Sequence, residues 1–164
     1  MFLVKRPPGI TNKTVYQLIF CLLLFSLCLT GCKAVQQDTC PATDPVWATP
    51  PEDSAVGGQS EAGYYFVNED RSIWASAWWT EQEESYLTAS EDGVKVGWFR
   101  PAGAAVEILG ERMDAQANPL DVDIPCCYPT RFQSTGLYFP TEGCWEVTAK
   151  AADRALSFVI WVEP

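Results

Sequence analysis

The side chains that most often do chemistry in proteins are unevenly spread through this chain, and the gaps inform as much as the clusters. There is no histidine among its 164 residues. That removes Ser-His-Asp and Cys-His nucleophilic catalysis, imidazole metal ligation and the commonest general acid or base near neutral pH. Carboxylates remain. Glu81, Glu83 and Glu84 fall in one run, and Asp121 stands two residues from Asp123. Glycoside hydrolysis needs two carboxyls facing a sugar across a defined gap, and nothing in either run sets such a pair in a cleft. Asp114, Asp121 and Asp123 flank Pro119-Leu120 and offer the oxygen ligands that calcium takes, but at a spacing that matches no calcium loop. The expectation is a non-catalytic chain with no cofactor and no metal site, its acidic runs being solvated loops.

Aromatic residues are the feature that points toward a partner. Trp74, Trp78 and Trp79 lie in Ile-Trp-Ala-Ser-Ala-Trp-Trp-Thr80, after Tyr64-Tyr65-Phe66. On a strand, Trp74, Ser76 and Trp78 share one face, while Ile73, Ala75, Ala77 and Trp79 share the other. If the second face is buried, Trp74 and Trp78 form an exposed platform about 13 Å long, at roughly 3.3 Å per residue. Such platforms stack on sugar rings and anchor protein interfaces. The competing reading is that these rings fill the core, or are covered by the preceding segment through Trp47.

The elements that must position these residues begin after an N-terminal segment of a different kind. Lys5, Arg6 and Lys13 precede an apolar run from Leu18 to Leu29, and no acidic residue occurs before Asp38. The run is shorter than the roughly twenty residues that span a bilayer, which fits a processed signal. Leu29-Thr30-Gly31-Cys32 resembles the lipobox of bacterial lipoproteins. That resemblance implies cleavage after Gly31 and acylation of Cys32, with stable anchoring by two or three chains at about 0.8 kcal/mol per buried CH2. Lys33 follows, where an Asp would mark inner-membrane retention in some members of that class. The expectation is an exported chain, lipid-anchored on the outer face of a bacterial membrane. Setting the three basic residues aside leaves 8 basic against 21 acidic residues, a net charge of −13. Such a surface repels phosphate backbones, so nucleic acid is not an expected partner.

Of seven cysteines, Cys21 and Cys28 leave with the signal and Cys32 carries lipid. Cys40, Cys126, Cys127 and Cys144 remain, an even number in an oxidising compartment, which implies two disulfides. Thiolates of Pro125-Cys126-Cys127-Tyr128-Pro129 with Met113 could bind Cu(I), but no Cys-x-x-Cys pair is present and an outer surface oxidises free thiols. Neighbouring cysteines bridge each other only with strain. The expected pairings therefore join one of Cys126 and Cys127 to Cys144 and the other to Cys40.

Three segments follow: a signal peptide (1–31), a tether (32–60) and a domain (61–164). Pro41, Pro45, Pro50 and Pro51 preclude regular helix or central strand in the tether, and Gly57-Gly58 closes it. Cys40 and Trp47 imply that part of it is stapled and packed onto the domain. From about Tyr64, apolar and polar residues alternate over short runs: Val94, Val96 and Trp98; Val106 and Ile108; Trp145, Val147 and Ala149; and Leu156, Phe158, Ile160 and Val162. Period two broken by Gly, Pro and Asp is the pattern of half-buried antiparallel strands, at intervals suited to a sandwich of about seven.

The last hairpin looks like the final two strands of an immunoglobulin-like domain. Cys144, however, shares the phase of Glu146, Thr148 and Lys150, so its disulfide should not cross the core. Gly97-Trp98-Phe99-Arg100-Pro101 and Phe139-Pro-x-x-Gly-Cys-Trp-Glu-Val-Thr148 together resemble segments that recur in one small domain of a set of exported bacterial proteins. The resemblance covers roughly residues 64–162 and implies a shared fold unit, with no activity attached. The expectation is a small antiparallel, immunoglobulin-like β-sandwich, stabilised by disulfides, in a non-catalytic envelope lipoprotein. Its partners would be the membrane through Cys32 and an envelope protein or, alternatively, wall glycan bound through the Trp platform.

Overall fold

Short alternating runs can bury their apolar residues on one side only as strands, because successive side chains point to opposite faces of a sheet. The computed structural model of the chain describes residues 39–51, 61–81, 87–126 and 128–164. The expectations for the signal segment 1–31 and for Cys32, Glu83, Glu84 and Cys127 lie outside these residues. Within them the chain forms ten strands: β1 (Val46–Ala48), β2 (Gly63–Val67), β3 (Trp74–Ser76), β4 (Leu87–Thr88), β5 (Val94–Phe99), β6 (Val106–Arg112), β7 (Asp121–Asp123), β8 (Phe132–Tyr138), β9 (Gly143–Ala151) and β10 (Arg154–Glu163).

The strands make two packed sheets, ordered β1-β2-β3-β5-β8-β7 and β4-β10-β9-β6. Every pairing is antiparallel except that of β4 with β10. The order β3-β5-β8-β7 is the A-B-E-D order of an immunoglobulin sheet, and β6-β9-β10 is its C-F-G partner. The all-β sandwich that the alternation predicts is therefore what the chain forms. Two strands ahead of it, β1 and β2, widen the first sheet, and the chain crosses between sheets after β3 to lay β4 beside β10.

The core lies between the sheets and follows the sequence phase. Val94, Val96 and Trp98 of β5 and Gln133, Thr135 and Leu137 of β8 point inward from one sheet. Trp145, Val147 and Ala149 of β9 and Leu156, Phe158 and Ile160 of β10 point inward from the other. Phe66 of β2 stacks on Phe158 with centroids 4.1 Å apart, joining the layers. Both central tryptophans are fully buried, and each indole N–H finds an acceptor, as buried indoles require. Trp98 Nε1 donates to Thr135 Oγ1 at 2.9 Å, and Trp145 Nε1 donates to the Thr141 carbonyl at 3.0 Å.

Residues 39–51 join this unit. Thr43 lies against β10, its N–H donating to Val159 O at 2.8 Å and its hydroxyl accepting from Val159 N at 2.9 Å. The chain then crosses to the other sheet, where β1 pairs with β2 and exposed Trp47 packs edge-to-face on Tyr64. Cys40 bonds to Cys144 across 104 residues. This corrects the expected pairings, in which Cys144 takes Cys126 or Cys127. No periodicity in a Pro-containing segment reveals that it runs beside β10, where Cys40 meets the outer side of β9. Cys126 is also disulfide-bonded, to a partner outside the described residues. The phase argument for Cys144 holds: it lies on the outer face with Glu146, away from the core.

Candidate functional site

The proposed aromatic platform is not formed. Ile73, Ala75, Ala77 and Trp79 are buried, as one face of that run should be. Trp74 points to the other face yet is only 3% exposed. Its indole N–H donates to Arg71 O at 2.8 Å, the Arg71 guanidinium sits 5.3 Å over its ring, and Tyr65 packs edge-on at 5.7 Å. The strand also ends sooner than the alternation implies, because the chain turns into a 3-10 helix over Trp78–Glu81. β3 leaves β5 after Ala75↔Trp98, and two side chains take over the abandoned edge. Ser76 Oγ accepts from Gly97 N at 2.9 Å, and Trp78 Nε1 donates to Lys95 O at 2.8 Å. Trp74, Ser76 and Trp78 are thus bound up in the sheet, and only Trp78, 44% exposed, presents much surface.

Further rings continue this layer along the outer face. Tyr65 meets Phe99 at 6.0 Å, Phe99 meets Phe132 at 5.4 Å, and Phe132 meets Tyr128 at 6.5 Å, all edge-to-face. Gly97 makes room for this layer, since a Cβ there would come 2.9 Å from the Phe132 ring. Burial raises the Tyr65 hydroxyl pKa above its usual value, with Glu81 and Glu61 adding to the effect.

Arg100, which residue-type reasoning passed over, is the hub of one end of the sandwich. It is 3% exposed, and its guanidinium donates to the carbonyls of Pro101, Thr130 and Tyr128 and to Gln133 Oε1, at 3.1–3.2 Å. Gln133 in turn donates to Pro125 O and Ser134 O, each at 2.9 Å. Unpaired carbonyls of irregular chain are costly to bury, and these two side chains satisfy four of them, those of Pro101, Pro125, Tyr128 and Thr130, besides that of Ser134 in β8. The sequence signal was the Gly-Trp-Phe-Arg-Pro segment itself: Trp98 fills the core, and Arg100 holds the Tyr128 and Thr130 carbonyls beside a cavity of about 220 Å³ that it lines with Pro125, Tyr128 and Gln133. Burial lowers the Arg100 pKa from its usual value.

The acidic candidates are separated. Asp114 bonds to Arg112 Nε at 2.7 Å, and Arg112 Nη1 reaches Thr141 Oγ1 at 3.1 Å. The Arg112 hydrogen bond chiefly holds the Asp114 carboxyl below its ordinary pKa, and the same bond raises the Arg112 pKa. Gly143, at φ 133°, leaves the space the Arg112 guanidinium occupies. Asp121 and Asp123 project from β7 on the outer face of the other sheet, opposite Tyr138 and Gly136. Among the described residues no group of acidic residues or cysteines is arranged to hold a metal ion.

A different surface stands open. On the outer face of β6, Leu109 (51% exposed) and Met113 (52%) bracket Glu111. The ladder sets Glu111 directly opposite Glu146 of β9. Like charges so placed destabilise a sheet by roughly 0.2–1 kcal/mol. Both carboxylates are exposed, and neither has a hydrogen-bond or ion-pair partner among the described residues. Beside them an open groove of about 690 Å³ is lined by Glu111, Arg112 and residues 115–119. Comparison with protein-family models, with curated proteins and with solved structures gives no match to this chain.

Proposed function

We propose that this chain is an exported bacterial lipoprotein, anchored through acylated Cys32, whose sandwich is a non-catalytic interaction module of the cell envelope. The observation that carries this reading is the Cys40–Cys144 disulfide, a bond characteristic of oxidising compartments outside the cytoplasm. It lies eight residues beyond Cys32. Eight residues reach at most about 29 Å, so an acyl group on Cys32 would hold the disulfide end of the sandwich close to a bilayer. The lack of histidine, the dispersal of the acidic side chains and the structural employment of Arg100 and Gln133 support a binding role over catalysis. A glycan-binding role through Trp74 and Trp78 is not carried forward, because Trp74 is covered and the Ser76 hydroxyl and Trp78 indole N–H bond to the backbone of β5.

Intact-mass analysis of the chain purified from its native envelope tests the anchor. The expected species begins at residue 32 with a diacylglyceryl group and partitions into detergent, and Cys32→Ser abolishes both properties. A chain that begins elsewhere, or stays aqueous with Cys32 intact, would overturn the proposal.

A further inference from the structure

We infer that the outer face of β6 and β9 docks an extended segment of a partner protein in which a Lys or Arg lies between apolar residues. The inference rests on the interaction-module reading above and names its surface. Leu109, Glu111 and Met113 follow one another at the two-residue step of a strand, and the Met113 N–H continues the ladder by donating to Cys144 O at 2.7 Å. The surface therefore reads apolar, acidic, apolar with the repeat of an extended chain. Such a chain, laid along it in the pattern apolar-x-basic-x-apolar, sets its cation between Glu111 and Glu146 and its apolar side chains on Leu109 and Met113.

Nearby cations do not oppose this. Arg112 is paired with Asp114, and Lys150 stands opposite Glu107. β6 is an edge strand, and the open groove runs beside it. The chain as a whole carries a net charge of −10, which favours approach of a basic partner. Glu111 and Glu146 stand opposite each other with no cation from the described residues between them, and a Lys or Arg entering there would face both carboxylates.

The probe is a synthetic Leu-Thr-Lys-Thr-Leu peptide, with its Leu-Thr-Glu-Thr-Leu twin, titrated into the full exported chain with disulfides intact. Binding is read by chemical-shift changes and by a photo-crosslinker on the peptide. The lysine peptide should shift and cross-link to Leu109, Met113 and the 115–119 loop. Glu111→Lys with Glu146→Lys should weaken it at least tenfold and create binding of the glutamate twin. Asp121→Lys with Asp123→Lys makes the same change in net charge on the other sheet and should leave affinity within twofold.

Equal losses in the two double variants would reduce the effect to net charge and overturn the inference, as would cross-links confined to the other face or no binding at millimolar peptide. A crosslinking residue placed at Leu109 or at Trp78 in envelope-bound protein separates this failure from failure of the broader reading. Protein adducts from Trp78 alone would overturn this surface and keep the module. Adducts from neither would overturn both.

Discussion

The two outer faces of the sandwich are built from the same alternation and end in opposite states. On the six-stranded sheet the outward residues include Tyr65, Trp74, Phe99 and Phe132, which lean edge-to-face on one another until Trp74 and Phe99 are 3% and 8% exposed. On the four-stranded sheet Val159 and Trp161 of β10 are half-buried beside residues 40–43, and the outward residues of β6 and β9 form no such layer of rings. Thr148 and Ser157 share a hydrogen bond at 2.7 Å, Glu111 faces Glu146, and Leu109 and Met113 stand uncovered between polar neighbours. Rings wider than the strand spacing cover each other, and with glycine between them they make a second apolar layer without a second sheet. Isolated aliphatic side chains cannot do this. Phase tells which way a residue points, and its neighbours decide whether it stays dry.

Mutations in the two layers sharpen this contrast, and the largest expected effect is at Trp74. Trp74→Ala should destabilise by about 3–5 kcal/mol, the range for truncating a buried aromatic. Leu109→Ala should change stability by less than about 0.5 kcal/mol, as surface substitutions do. Urea unfolding of both variants checks this, and similar costs for the two would break the comparison.

Of intermediate size is Asp114→Asn, which should cost about 1–2 kcal/mol at neutral pH, a bond to a charged group discounted for partial exposure. The folded Asp114 carboxyl lies below its ordinary pKa. Its contribution is therefore full above that ordinary value and is lost as pH falls through the lower folded one. The gap between parent and variant should close on acidification, and a gap that widened would contradict the assignment.

Smallest is Glu111→Gln, which should stabilise the free chain by roughly 0.2–1 kcal/mol by removing repulsion from Glu146. Thermal unfolding at low ionic strength is the measurement, and a loss of stability would mean that the two carboxylates do not oppose each other.

Much of the fold was legible because period-two alternation is local. The runs at Val94–Trp98, Trp145–Ala149 and Leu156–Val162 each give the buried face of a strand directly. What was not legible depends on partners distant in sequence. Trp74 is covered by Tyr65 and Arg71, and only the β2-β3 pairing sets Tyr65 opposite Ser76 on that face. The 3-10 turn at Trp78 breaks an alternation that the sequence continues through Trp79. Arg100 reads as a surface cation until the Tyr128 and Thr130 carbonyls close on it, and Cys40 meets Cys144 only because Thr43 runs along β10. As for the candidate surface, Val106 and Ile108 give the buried phase of β6, but Leu109 follows Ile108 with no polar residue between them, and Glu146 is brought opposite Glu111 only by the β6-β9 register.

The Cys40–Cys144 bond also decides how the molecule bears load. Residues 41–143 lie inside a closed covalent loop, so a pull on the chain ahead of residue 40 passes through the sulfur bridge directly to the start of β9. β1, a three-residue edge strand that would otherwise peel away one bond at a time, carries none of that tension. Glu146 stands two residues beyond the bridge, on the strand that receives the force. A partner held there would be tied to whatever pulls on Cys40 by a nearly inextensible path, while residues 41–143 carry none of the load.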